Sequence, residues 1–124
     1  MQILCRSRED NIIEAYSGDN GKTWGTLSKT NLPNPNSGID VVHLKDGRFV
    51  AVYNDSTTKR TPLVLAVSDD GERFRNFLTL ESGEGEFSYP AMIQDREGNL
   101  DITYTWNRKR IKFIRIFTNQ IHAD

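Results

Sequence analysis

The 124-residue sequence predicts an all-β chain of repeated antiparallel sheets, on three grounds. The first is an internal echo. Ser17-Gly18-Asp19-Asn20-Gly21-Lys22-Thr23-Trp24 returns in altered form as Ser68-Asp69-Asp70-Gly71-Glu72-Arg73-Phe74, with the closing aromatic displaced by 50 residues. A second pair, Lys45-Asp46-Gly47-Arg48-Phe49-Val50-Ala51-Val52-Tyr53 and Arg96-Glu97-Gly98-Asn99-Leu100-Asp101-Ile102-Thr103-Tyr104, sets its glycines 51 apart. Two unrelated motifs sharing one period mark a structural repeat, and the period matches β-propeller blades of about 40–50 residues. The second ground is alternation. Phe49, Ala51 and Tyr53 interleave with Val50 and Val52, as Leu63, Leu65 and Val67 do with Val64 and Ala66, so both faces are apolar, as in a strand buried between stacked sheets. The third is the lack of any sustained 3.6-residue period, with Pro33, Pro35, Pro62 and Pro90 punctuating loops or strand starts.

Taken in order, the first repeat unit supplies expected strands at residues 2–6, 12–17 and 23–27. Residues 30–38, TNLPNPNSG, read as the loop that crosses to the second unit. That unit holds strands at 39–44, 48–54, 63–68 and 73–80, with Asp46-Gly47 as a hairpin turn. The third unit repeats the pattern at 88–94, 99–105 and 111–118, with Glu97-Gly98 as its turn. The expected architecture is therefore about three four-stranded antiparallel blades, at roughly residues 1–29, 39–80 and 87–118 of one partial propeller.

Composition removes several function classes. A formal net charge of −1 gives the chain no general pull toward nucleic acid or anionic membrane. The basic run Asn107-Arg108-Lys109-Arg110-Ile111-Lys112-Phe113-Ile114-Arg115 has apolar residues interspersed as in a strand after a charged hairpin, and reads as a solvated blade edge. No apolar run is long enough to span a bilayer, and MQILCRSRED has no signal-peptide core. Cys5 is the only cysteine, and His43 and His122 lie far apart, so neither a metal site nor a cofactor is expected. His43 reads as a structural strand residue. Asn54-Asp55-Ser56 fits a glycosylation sequon, a triplet common by chance.

Ser17, Asp19, Gly21, Thr23 and Trp24 match every fixed position of S-x-D-x-G-x-T-W, the Asp-box of sialidase (neuraminidase) propellers and related proteins. The second copy keeps Ser68, Asp70 or Asp69, Gly71 and Phe74, one residue short. Such a box is a tight turn between the third and fourth strands of a blade. Its carboxylate accepts bonds from turn amides, its glycine takes the left-handed position and its indole plugs a gap between strands. With Leu4-Cys5-Arg6-Ser7, the stretch from Lys59 to Ser68, and Phe87-Ser88-Tyr89-Pro90, nearly the whole chain resembles the C-terminal half of a six-bladed, sialidase-like BNR (Asp-box) propeller.

That resemblance implies a glycoside hydrolase acting on terminal acidic sugars, sialic-acid-like or otherwise. Arg6 and Arg60 would grip the substrate carboxylate, for which a planar, permanently charged guanidinium is suited. Tyr89 would stand nearest the family's tyrosine nucleophile, which needs a carboxylate beside it because a phenol is mostly protonated at neutral pH. Glu84 and Glu86 are near in sequence. An alternative register puts Phe87 at that position and removes nucleophilic chemistry. The family's acid/base aspartate and activating glutamate would lie upstream of Met1, so the chain alone is expected to be inactive. A second reading makes it a non-catalytic carbohydrate-binding or scaffold propeller, since Asp-boxes serve folding rather than chemistry. Exposed end blades predict self-association, with two copies completing a ring, or membership of a longer protein.

Overall fold

The computed structural model describes residues 1–122, and its centre is a four-stranded antiparallel sheet ordered β4-β5-β6-β7. These strands are β4 (Asp40–His43), β5 (Phe49–Asn54), β6 (Leu63–Ser68) and β7 (Arg75–Glu81). Every residue of β6 is buried, and Val50, Ala51, Val52 and Tyr53 of β5 are at most 1% exposed. The two-sided apolar pattern thus has its expected cause: a sheet covers each face.

On one side lies β1-β2-β3, formed by β1 (Gln2–Cys5), β2 (Asn11–Tyr16) and β3 (Ser28–Pro33). On the other lies β8-β9-β10, formed by β8 (Phe87–Gln94), β9 (Leu100–Trp106) and β10 (Arg110–Ile116). Ile12 and Leu32 of the first sheet meet Ala51, Tyr53, Val64, Ala66 and Phe74 of the second. Val50, Val52, Leu63, Leu65 and Val67 meet Phe87, Met92, Leu100, Ile102 and Tyr104 of the third. Each fully buried aliphatic side chain in these layers contributes about 1.5–3 kcal/mol of burial free energy. Three stacked antiparallel sheets are the all-β blade arrangement that the period implied.

The repeated motifs define which strands correspond. Gly47 and Gly98 both have positive φ in the β4–β5 and β8–β9 turns, and each amide bonds back three residues, to Leu44 and Asp95. The Asp-boxes join β2 to β3 and β6 to β7. Hence β1 corresponds to β5, and the first sheet has no described counterpart of β4. A groove of about 360 Å³ lies there, lined by Gln2, Leu4, Ile39, Val41 and Phe49 among others.

The boxes work through side chain to backbone bonds. The Ser17 hydroxyl donates to Asp19 Oδ1 (2.8 Å) and accepts the Gly21 amide (2.8 Å), while Asp19 accepts both the amide and the hydroxyl of Thr23. In the second copy Ser68 donates to Asp70 (2.9 Å) and accepts the Gly71 amide, and Asp70 accepts the Glu72 and Arg73 amides. Asp70 is therefore the box carboxylate of the shortened copy. Asp69 turns outward to Arg75.

Two expectations for the first box need correction. Residues 23–27 are not a strand; β3 begins only at Ser28 and runs to Pro33, through part of the stretch read as a crossing loop. Thr30 and Leu32 point inward, and the polar residues and terminal proline are tolerated because β3 is an outermost strand with one free edge. Trp24 does not plug a gap: it is 38% exposed and its Nε1 donates to the Gly21 carbonyl. Phe74, its counterpart, is 4% exposed because the first sheet covers it, and Asn31 of β3 brackets its backbone.

The basic run forms the β9–β10 hairpin, and its charges are used locally. Arg108 pairs with Glu86, Lys112 with Glu81 and Arg115 with Asp101, and Arg110 lies over the Trp106 ring. His43 stacks on Phe49 with ring centroids 4.3 Å apart. Asn54 is fully buried, so the sequon is inaccessible in the folded chain.

Candidate functional site

Arg6 and Arg60 lie in equivalent connections of consecutive sheets. Arg6 opens the β1–β2 connection and Arg60 lies late in the β5–β6 connection, so both are at the sheet end opposite the Asp-box turns. The third contributor, Tyr89, is set by an irregularity in β8. The register with β9 shifts between Ser88 and Ala91, and Tyr89 takes φ 51°, a left-handed value uncommon for a bulky residue. Strict alternation would put Tyr89 on the face of Phe87. The bulge instead swings it outward: Phe87 is 3% exposed in the core and Tyr89 is 59% exposed.

This places Tyr89 against both arginines. The Arg60 guanidinium carbon is 5.3 Å from the Tyr89 ring centroid. Hydrogen bonding and then charge from Arg60, with Arg6 behind it, hold the Tyr89 phenol below the usual tyrosine range. Arg6 is itself clamped by Asn36, whose side-chain oxygen accepts from Nε (3.2 Å) and whose carbonyl accepts from a terminal nitrogen. Asn36 also has a positive φ, of 59°. The ring of Tyr89 lies over Gly38, where an added Cβ would stand 3.5 Å from the Tyr89 Cα and Cδ1. Chemically, the arrangement offers two guanidinium forks and one phenol on an open surface, suited to a planar anion. Of the nearby acidic residues, Glu86 is engaged by Arg108 at 2.7 Å.

A family model for the BNR repeat-like domain matches residues 1–102. The chain belongs to that family. No curated protein sequence gives a significant match. Among solved structures, this BNR repeat-like chain is similar to the intramolecular trans-sialidase from Ruminococcus gnavus in complex with oseltamivir carboxylate. The TM-score is 0.82 at 14% identity, covering 99% of this chain and 31% of that one. It is also similar to the leech intramolecular trans-sialidase complexed with 2,7-anhydro-Neu5Ac, with TM-score 0.79 at 14% identity, covering 97% of this chain and 22% of that one. A further structure described as a sialidase gives TM-score 0.75 at 26% identity, covering 94% of this chain and 12% of that one. The BNR repeat-like chain therefore folds as part of a sialidase-like β-propeller and spans about a third or less of the length of these structures.

Sequence reasoning did not single out Asn36, Asn34, Ser37 or Asn54. The first three lie in TNLPNPNSG, whose composition signals only a loop, and Asn54 stood out solely as part of a sequon. A polar residue in a crossing loop carries no mark of burial.

Proposed function

We propose that this BNR repeat-like chain carries the carboxylate-binding side of a sialidase-family site for a terminal acidic sugar. Arg6 and Arg60 pair with the carboxylate, and Tyr89 lines the floor beside it. The observation that carries this reading is the convergence of two arginines from separate blades on one exposed tyrosine. The structural relatives that hold oseltamivir carboxylate and 2,7-anhydro-Neu5Ac support it, since both ligands carry a carboxylate. The Arg60 and Arg6 cations favour the Tyr89 phenolate, while Glu86, the acidic residue close to it in sequence, is engaged by Arg108 instead of the phenol. On this reading the chain alone binds the sugar without hydrolysing sialosides.

Titration with N-acetylneuraminic acid, followed by saturation-transfer NMR or calorimetry, tests the assignment. A charge-assisted pair is worth about 1.5–3 kcal/mol, so Arg60→Ala should weaken binding by about tenfold or more. Binding indifferent to Arg60→Ala would overturn the site and favour a scaffold role. Robust sialoside turnover abolished by Tyr89→Phe would overturn the assignment of binding alone.

A further inference from the structure

Arg6, Arg60 and Tyr89 come from a turn, a loop and a bulge in three different sheets, none of which fixes a side chain by regular pairing. We propose that a buried polar cluster, Asn34, Ser37 and Asn54, is the positioning device that holds these three segments in register. This deepens the carboxylate-site reading and rests on it for its functional consequence.

The connections are specific. Asn54 Nδ2 donates to the Phe87 carbonyl (2.9 Å) and to the Pro62 carbonyl (3.3 Å), two residues before Tyr89 and two after Arg60. Its Oδ1 accepts the Ser37 hydroxyl at 2.7 Å. The Ser37 amide donates to Asn34 Oδ1 and the Asn34 amide group returns a bond to the Ser37 carbonyl. Asn34 Oδ1 also accepts the amide of Ser7, the neighbour of Arg6. Ser37 in turn adjoins Asn36, which clamps the Arg6 guanidinium, and Gly38, on which Tyr89 rests. The Phe87 amide donates directly to the Arg60 carbonyl, closing the circuit.

Asn34, Ser37 and Asn54 are at most 1% exposed. A buried amide or hydroxyl left unpaired is costly, so a fully satisfied cluster admits one arrangement of the segments it joins. The repeat does not require asparagine here. The 51-residue period puts Thr105 at the place equivalent to Asn54 in the third sheet.

The test reads the free chain and needs no ligand. Burial, reinforced by neighbouring acidic groups, pushes the phenols of Tyr16, Tyr53 and Tyr104 up, while the two arginines push that of Tyr89 down. The first tyrosinate transition in an ultraviolet pH titration therefore reports Tyr89 alone. In Ser37→Ala and Asn54→Ser, with folding verified by circular dichroism, that transition should move to higher pH as the arginines lose registration. Ser68→Ala removes a comparable hydroxyl from the Asp-box at the opposite sheet end and should leave it in place. The proposal is overturned if Ser37→Ala leaves the transition unmoved, or if Ser68→Ala moves it as far. Should Asn54→Ser not fold, Ser37→Ala decides alone. Failure of the carboxylate reading shows separately, as a wild-type chain that does not bind the sugar.

Discussion

The guanidinium carbon of Arg60 stands 5.3 Å from the ring centroid of Tyr89, joining a loop of the central sheet to a bulge of its neighbour. A cation beside a phenol favours the phenolate, so its removal must raise the pH at which Tyr89 ionises. Arg60→Ala should shift the first tyrosinate transition upward, and Arg6→Ala should shift it less, because Arg60 is the stronger influence. Arg60→Lys should restore the wild-type transition only in part, since an ammonium offers no planar fork. Ultraviolet titration of the three variants checks the order.

Acid should weaken the chain through its two Asp-boxes. Hydrogen bonds from Thr23 and Ser17 lower the Asp19 carboxyl from 3.8 to about 2, and the Arg73 and Glu72 amides with Ser68 do the same for Asp70. Both values are depressed on folding, so the stability involved is fully present above about 4 and is lost as pH falls toward about 2. Urea midpoints measured from pH 5 down to pH 2 should fall, and the fall should be shallower in Asp70→Asn.

The box aromatics should differ in weight although the motif treats them alike. Phe74 is buried between two sheets, whereas Trp24 has a free face. Phe74→Ala should cost about 3–5 kcal/mol, the usual range for a core aromatic, and Trp24→Ala clearly less. Equilibrium unfolding of both variants makes the comparison.

Self-association should be concentration dependent. The outer face of β8-β9-β10 leaves Ile93, Ile111 and Phe113 at 62%, 70% and 57% exposure, whereas on the equivalent face of the central sheet Val50, Val52, Leu63, Leu65 and Val67 are buried. Sedimentation over a wide concentration range should show mass above the monomer, reduced by Phe113→Ser. A monodisperse monomer throughout would contradict this.

Much of the fold was legible because a strand's environment is written into its own residues. The strand 63–68 was expected with its observed bounds, since β-branched and aliphatic residues on both faces have few other ways to be buried. The failures lie where neighbours decide. In 23–27, Thr23 and Trp24 look strand-forming, yet the box bonds hold Thr23 in the turn and the strand forms later from Ser28. Trp24 and Phe74 carry the same pattern mark, but only one has a sheet above it.

From its sequence alone, this protein's class and repeat period could be read because each depends on local spacing and residue type, while Arg6, Arg60 and Tyr89 became candidates through the family resemblance that the Asp-box carries. Only the tertiary structure brought those three side chains together, turned Tyr89 outward and Phe87 inward, and showed that Asn34, Ser37 and Asn54 are buried beneath them. The physical reason is that side-chain direction at a bulge and polar pairing across three segments depend on partners dozens of residues away, which no single window of sequence contains.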